Sequence, residues 1–160
     1  GVYFTDAATH RVWFVPPKGA ARVVDAGLAY PNGITLWPDQ GTLVIADTLG
    51  PHLWAYRIEP DGGLAHKQPY YPLQLFPGRL DCGADGMTVD SAGRLYVATL
   101  AGLQVFDPTG RFCGVILSPA GSFLTGITFG GPERDMLYAT CMDKIYRRKT
   151  KATGILPSQQ

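Results

Sequence analysis

Apolar positions in this chain come in short blocks cut by glycine, proline and aspartate, and the blocks repeat. Leu43-Val44-Ile45-Ala46, Leu95-Tyr96-Val97-Ala98 and Met136-Leu137-Tyr138-Ala139 are each followed by a polar residue, Asp47, Thr99 and Thr140. A shorter strand-like segment and a turn precede each block. Asn32 to Leu36 runs through Pro38, Asp39 and Gly41. Asp85 to Asp90 runs through Ser91 and Gly93. Thr125 to Phe129 runs through Gly130, Gly131 and Pro132. Apolar and β-branched runs bounded by turn formers predict strands joined by tight turns. No apolar stripe has the 3.6-residue period of a helix. The three segments Asn32 to Asp47, Asp85 to Thr99 and Thr125 to Thr140 span 15, 14 and 15 positions. Asn32, Asp85 and Thr125 therefore occupy one place in three copies of a unit.

The remaining blocks complete the units. Val2 to Asp6 matches Leu43 to Asp47, a second strand without a first. Third strands are expected at Arg11 to Val15, Leu53 to Ile58, Leu103 to Phe106 and Lys144 to Arg148. Fourth strands are expected at Ala21 to Val24, within Leu64 to Tyr70, and at Arg111 to Leu117, with a longer loop from Tyr71 to Gly83. Unit starts lie 53 and 40 positions apart. A repeated four-stranded unit of that length is the signature of a β-propeller blade. One such sheet cannot bury both its faces, whereas sheets stacked around an axis can. A meander sandwich, the alternative, would not need equivalent residues at equal positions. The fold expected is all-β: an incomplete β-propeller of about three and a half blades in residues 1–150, with 151–160 as a C-terminal tail.

Composition narrows this picture. The chain has 160 residues, 46% of them apolar, with 20 glycines and 13 prolines, which suits a globular all-β protein. A net charge of +1 gives no case for a nucleic-acid partner. No apolar run approaches the length of a membrane-spanning helix. Cys82, Cys113 and Cys141 have neither disulfide-framework nor metal-site spacing and are expected as free thiols. His10, His52 and His66 fall in different positions of the units, so a zinc cluster is not expected. Trp13, Trp37 and Trp54 are read as packing between blades. The chain opens inside a strand, at Gly1 to Thr5, so further sequence is expected upstream.

Several motifs follow one another in a known order: Tyr30-Pro31-Asn32-Gly33, Gly83-Ala84-Asp85-Gly86-Met87-Thr88-Val89-Asp90, Phe106-Asp107-Pro108-Thr109-Gly110 and Phe129-Gly130-Gly131. In these the chain resembles the C-terminal part of the SMP-30/gluconolactonase/LRE family, the regucalcin-like six-bladed propellers. The resemblance runs from Val2 to about Tyr146. It implies one divalent cation at the mouth of the central channel, with Asn32 and Asp85 as ligands and Asp85 also as the catalytic carboxylate. Two further family ligands, a glutamate and an asparagine from earlier blades, have no counterpart here. Amide and carboxylate oxygens suit Ca²⁺ first, and a carboxylate also holds Zn²⁺, Mg²⁺ or Mn²⁺. The resemblance further implies hydrolysis of a small-molecule lactone of the sugar type, with Asp85 as general base. Asp6, Asp47 and Thr125 are candidate substrate-channel positions, with turn capping through side-chain hydrogen bonds the preferred reading of the two aspartates.

Two other readings stand beside this one. The scaffold could serve a non-catalytic binding or regulatory propeller, or an inactive fragment of the lactonase. Residues 1–160 alone are expected to leave apolar faces open on the end blades, to associate through them, and to show little lactonase activity.

Overall fold

The computed structural model describes residues 1–155, and these form four antiparallel sheets with no helix among them. Blade 1 holds β1 (Val2–Asp6), β2 (Arg11–Val15) and β3 (Arg22–Ala26). Blade 2 holds β4 (Pro31–Leu36), β5 (Thr42–Asp47), β6 (His52–Ile58) and β7 (Leu64–Pro72). Blade 3 holds β8 (Met87–Val89), β9 (Leu95–Thr99), β10 (Gly102–Phe106) and β11 (Phe112–Ile116). Blade 4 holds β12 (Ile127–Gly130), β13 (Met136–Cys141) and β14 (Lys144–Lys149). Strands follow sequence order within every sheet, and β1, β4, β8 and β12 are neighbours in that order across the blades. This is an incomplete propeller.

Burial explains the continuous apolar blocks. On β5, Leu43 and Ile45 face blade 1, where they join Val12, Leu28 and Tyr56. Val44 and Ala46 face the other way, into a cluster with Met87, Val89, Leu95 and Val97 of blade 3. On β9, Tyr96 and Ala98 turn instead to Ile127 and Leu137 of blade 4. A strand buried on both faces has no polar face to show, so its sequence reads apolar without alternation. Fully burying one such side chain is worth about 1.5–3 kcal/mol.

Buried polar groups fasten the turns. Asp90 is wholly buried. It accepts hydrogen bonds from the Ala92 and Arg94 backbone, from Arg94 Nε at 2.6 Å and from the Tyr96 hydroxyl at 3.0 Å. Gln104, equally buried, pairs its amide with both backbone groups of Gln74 at 2.8 Å. That pairing ties the loop after β7 to blade 3. Satisfied groups of this kind specify one arrangement, because each would be costly unpaired.

Three expectations are corrected. The tail expected from Lys151 is part of the body as far as Ile155. Ser91 N donates to Thr153 O at 2.7 Å, Gly154 N donates to Arg134 O at 2.9 Å, and Ala152 is buried. The rest of that segment, 156–160, lies outside the described residues. Trp13 does not pack between two blades of this chain. It stacks on Phe4, 6.1 Å between ring centroids, on the outward side of blade 1. The third concerns the first strand of blade 3, which begins at Met87 and not at Asp85, because Asp85 and Gly86 form a bulge.

The end faces differ from the inner ones. Val2 is 63% exposed and Phe4 41% on blade 1, and Ile145 is 73% exposed on blade 4. Residues 1–160 in isolation are expected to self-associate through these faces. Sedimentation velocity over a concentration series checks this, and a monomer throughout would contradict it. A second expectation concerns Gly33. A Cβ there would lie 2.0 Å from Asp85 O, whereas at Gly41 its nearest neighbour would be 3.7 Å away. Gly33→Ala is expected to cost about 2–3 kcal/mol by forcing two blades apart. Gly41→Ala is expected to be neutral or slightly stabilising. Urea unfolding of the pair measures the difference.

Candidate functional site

The first strands of blades 2, 3 and 4 begin with one irregularity. Pro31 pairs with Asp47 and Ile34 with Ile45, so Asn32 and Gly33 together oppose Ala46. Asp85 N donates to Ala98 O at 2.9 Å and Ala98 N to Gly86 O at 3.0 Å, so Asp85 and Gly86 share Ala98. Thr125 N donates to Thr140 O, and Thr140 N to Gly126 O, both at 3.0 Å. Two residues against one is a β-bulge, which bends the strand and re-aims a side chain. The repeated position in the sequence is this bulge.

The bulges bring Asn32, Asp85 and Thr125 to the wall of one cavity of about 440 Å³. The glycine after each makes the approach feasible. A Cβ at Gly86 would lie 2.6 Å from Thr125 O, the atom to which Gly86 N donates at 2.7 Å. Asn32 donates through Nδ2 to Thr48 Oγ1 at 3.1 Å, and Thr48 donates to Ala84 O at 2.7 Å. Thr48 thus links the Asn32 side chain to the backbone beside Asp85. Gly83 N donates to Thr48 O at 3.0 Å, fixing the same loop from the other side.

Asp85 carries the only formal charge among the residues lining this cavity. Burial raises its carboxyl above the ordinary carboxylate range, opposed by the Gly86 N–H and the Asn32 amide. Cys82, nearby, is no nucleophile. Burial pushes its thiol up to about 11, so it stays protonated at neutral pH. A larger cavity of about 640 Å³ lies toward the other end of the first strands, lined by Ile34, Leu36, Thr88, Thr128 and Ile155 among others, with no carboxylate among the described residues of its lining.

The carboxyls of the two remaining channel candidates, Asp47 and Asp6, are engaged by backbone and hydroxyl donors. Asp47 is buried and accepts from Ala29 N at 3.0 Å and Tyr30 N at 2.7 Å. Asp6 accepts from Thr9 N at 3.2 Å and from the Thr9 hydroxyl at 2.5 Å. Asp6 caps its own turn, Asp47 ties the β3 to β4 connection to the end of β5, and neither lines the cavity. Sequence reasoning also missed Thr48 and Leu100, which do line it. They stand two positions beyond Ala46 and Ala98, the residues that oppose the bulges, so the same repeat could have found them. Tyr30, Gly83 and Phe123 each stand two positions before a bulge residue, so the repeat could have found them too, whereas Leu49 had no such signal.

As a test of metal fit, the residues lining the cavity offer one carboxylate, one amide and hydroxyls. These are the ligands of a hard cation. Among the described residues no group of three or more His, Cys, Asp or Glu could hold a metal. Asn32 and Asp85 thus suit a hard cation in kind but supply only part of a coordination sphere.

Comparison with known proteins agrees with this architecture. The model of the SMP-30/Gluconolactonase/LRE-like region matches residues 2–143. The gluconolactonase of Zymomonas mobilis is 28% identical over 89% of this chain and 41% of its own length. The pentonolactonase XacC of Haloferax volcanii is 29% identical over 88% of this chain and 47% of its own. A gluconolactonase structure from Xanthomonas campestris superposes with a TM-score of 0.68 at 29% identity, over 84% of this chain and 42% of that one. The chain thus spans less than half the length of these relatives. The bulged ring positions, the blade order and the family match together establish that this chain belongs to the SMP-30/gluconolactonase/LRE-like family.

Proposed function

We propose that the cavity is this chain's part of a lactonase site, hydrolysing the intramolecular ester of a sugar-type lactone. The observation that carries the reading is the convergence of Asn32 and Asp85, from equivalent bulges of adjacent blades, on one cavity. The names of the relatives, gluconolactonase and pentonolactonase, support the reaction class.

Asp85 acts as general base. It takes a proton from water as that water attacks the lactone carbonyl. It returns the proton to the ring oxygen as the C–O bond breaks, leaving a hydroxy acid. A base whose pKa lies above the usual carboxylate value is the stronger proton acceptor, which suits this role. Asn32 and Asp85 would together hold one divalent cation, Ca²⁺ first, with Zn²⁺, Mg²⁺ or Mn²⁺ as alternatives. When bound, the cation polarises the ester carbonyl. Thr48 keeps the Asn32 amide oriented, and Thr125 offers a hydroxyl to the substrate from the next blade.

Two outcomes check this in a full-length protein carrying the sequence. Asp85→Asn is nearly isosteric and is expected to lower lactone hydrolysis by about two to four orders of magnitude with the fold retained. Undiminished turnover, measured by titrating the acid released, would remove Asp85 as the base. Thr48→Val removes both hydrogen bonds of the Thr48 hydroxyl, from Asn32 Nδ2 and to Ala84 O. It is expected to lower kcat/KM about 10–100-fold and to weaken cation binding, as loss of an outer partner of a ligand does. Calorimetric titration with Ca²⁺ separates that effect from a general loss of stability.

A further inference from the structure

Two positions before each bulge residue stand Tyr30, Gly83 and Phe123, and all three line the candidate site. Tyr30 alone of this set carries a polar side chain. Its backbone is tied at both ends. Tyr30 N donates to the buried Asp47 carboxylate at 2.7 Å, and Thr48 N donates to Tyr30 O at 3.0 Å. Ala29 N, one residue earlier, donates to the other Asp47 oxygen at 3.0 Å. Pro31 follows, and a proline restricts the residue before it to extended backbone. A side chain mounted on backbone so restrained is preorganised, because little further ordering is lost when it makes a contact.

The other hydrogen-bonding side chains on the lining are engaged within this chain. Asn32 Nδ2 donates to Thr48 Oγ1, and Thr48 donates to Ala84 O. The Thr125 and Thr140 hydroxyls form a hydrogen bond of 2.9 Å. Asp85 receives the Gly86 N–H and the Asn32 amide. The Tyr30 phenol has no partner among the described residues, and the residue is 41% exposed. We infer that Tyr30 is a specificity-determining residue of this site, its hydroxyl hydrogen-bonding a ring hydroxyl of the lactone whose ester group lies at Asn32 and Asp85. This rests on the lactonase reading and assigns one of its substrate contacts. A phenol both donates and accepts, as an alcohol does, so the two are matched in either direction. A lactone without ring hydroxyls leaves the phenol nothing to bind, and a site that hydrogen-bonds a substrate hydroxyl discriminates against the analogue lacking it.

Tyr30→Phe keeps the aromatic ring and removes only the hydroxyl. The test compares this variant with the parent full-length protein on glucono-δ-lactone and on δ-valerolactone, the same ring without hydroxyls. It also compares the corresponding lactams as non-hydrolysable ligands by calorimetry. The variant is expected to lower kcat/KM for glucono-δ-lactone about three- to tenfold, the worth of one neutral hydrogen bond, mainly through KM. Turnover of δ-valerolactone is expected to be unchanged. Gluconolactam binding is expected to weaken by a similar factor, and δ-valerolactam binding to stay as it was. An equal loss on both lactones, a loss confined to kcat, or no loss at all overturns the inference while hydrolysis itself stands. Weaker gluconolactam binding by the variant, with no turnover of either lactone by the parent, upholds the Tyr30 contact and overturns the hydrolytic reading. Failure of the parent to bind either lactam or to hydrolyse either lactone overturns both.

Discussion

The backbone of β4 at Gly33 approaches the backbone at Asp85 so closely that no side chain fits between them. The same approach recurs one blade on, where Gly86 lies against Thr125 and donates a hydrogen bond to its carbonyl. These two contacts set the spacing of the first strands around the axis. Asn32, Asp85 and Thr125 immediately precede the glycines, so the separation of the candidate ligands follows from it. A methyl group at either glycine would widen the ring where its chemistry is concentrated.

The rest of the structure works to hold that approach. Three apolar clusters fill the three gaps between four sheets, and the second strands of blades 2 and 3 contribute to a cluster on each side. Apolar burial is non-directional and would tolerate small slides of one blade on another. The hydrogen bonds between blades remove that freedom. Thr5 donates to Asn32 O at 2.6 Å, Thr48 to Ala84 O at 2.7 Å, and Gly86 N to Thr125 O at 2.7 Å. Burial thus holds the blades together, and a few directional contacts set their register.

Electrostatics at the site is sparse. One partly buried carboxylate faces the cavity, and among the described residues an amide and a backbone N–H offset the cost of its ionisation, with no basic residue on the lining. Such a group raises its affinity for a proton or for a cation. The candidate ligands stand at the strand starts, where the bulges bend the backbone, and Thr48 adds a hydroxyl from the β5 to β6 connection. The connecting loops supply Tyr30, Leu49 and Phe123 to the lining, and loops are where substrate preference can vary without disturbing the scaffold.

The sequence by itself determined the blade pattern, since strands buried on both faces must be continuously apolar and turns need their glycines and prolines. Leu43 to Ala46 and Leu95 to Ala98 are legible for that reason. It also determined that Asn32, Asp85 and Thr125 are equivalent, because the spacing from each to its second strand is nearly constant. The structure decided why they are equivalent, as bulges, and which other residues join them. Asp47 was indistinguishable from a channel carboxylate until its two backbone donors at Ala29 and Tyr30 were located. The strap at Ala152 to Ile155 was invisible, because its partners Ser91 and Arg134 lie in other turns and no local pattern records them. That Leu49 and Phe123 line one cavity is likewise decided by how the blades stack. Local periodicity encodes what a strand does to its immediate neighbours; contacts between loops of different blades depend on how the blades are stacked, and only the tertiary structure contains that.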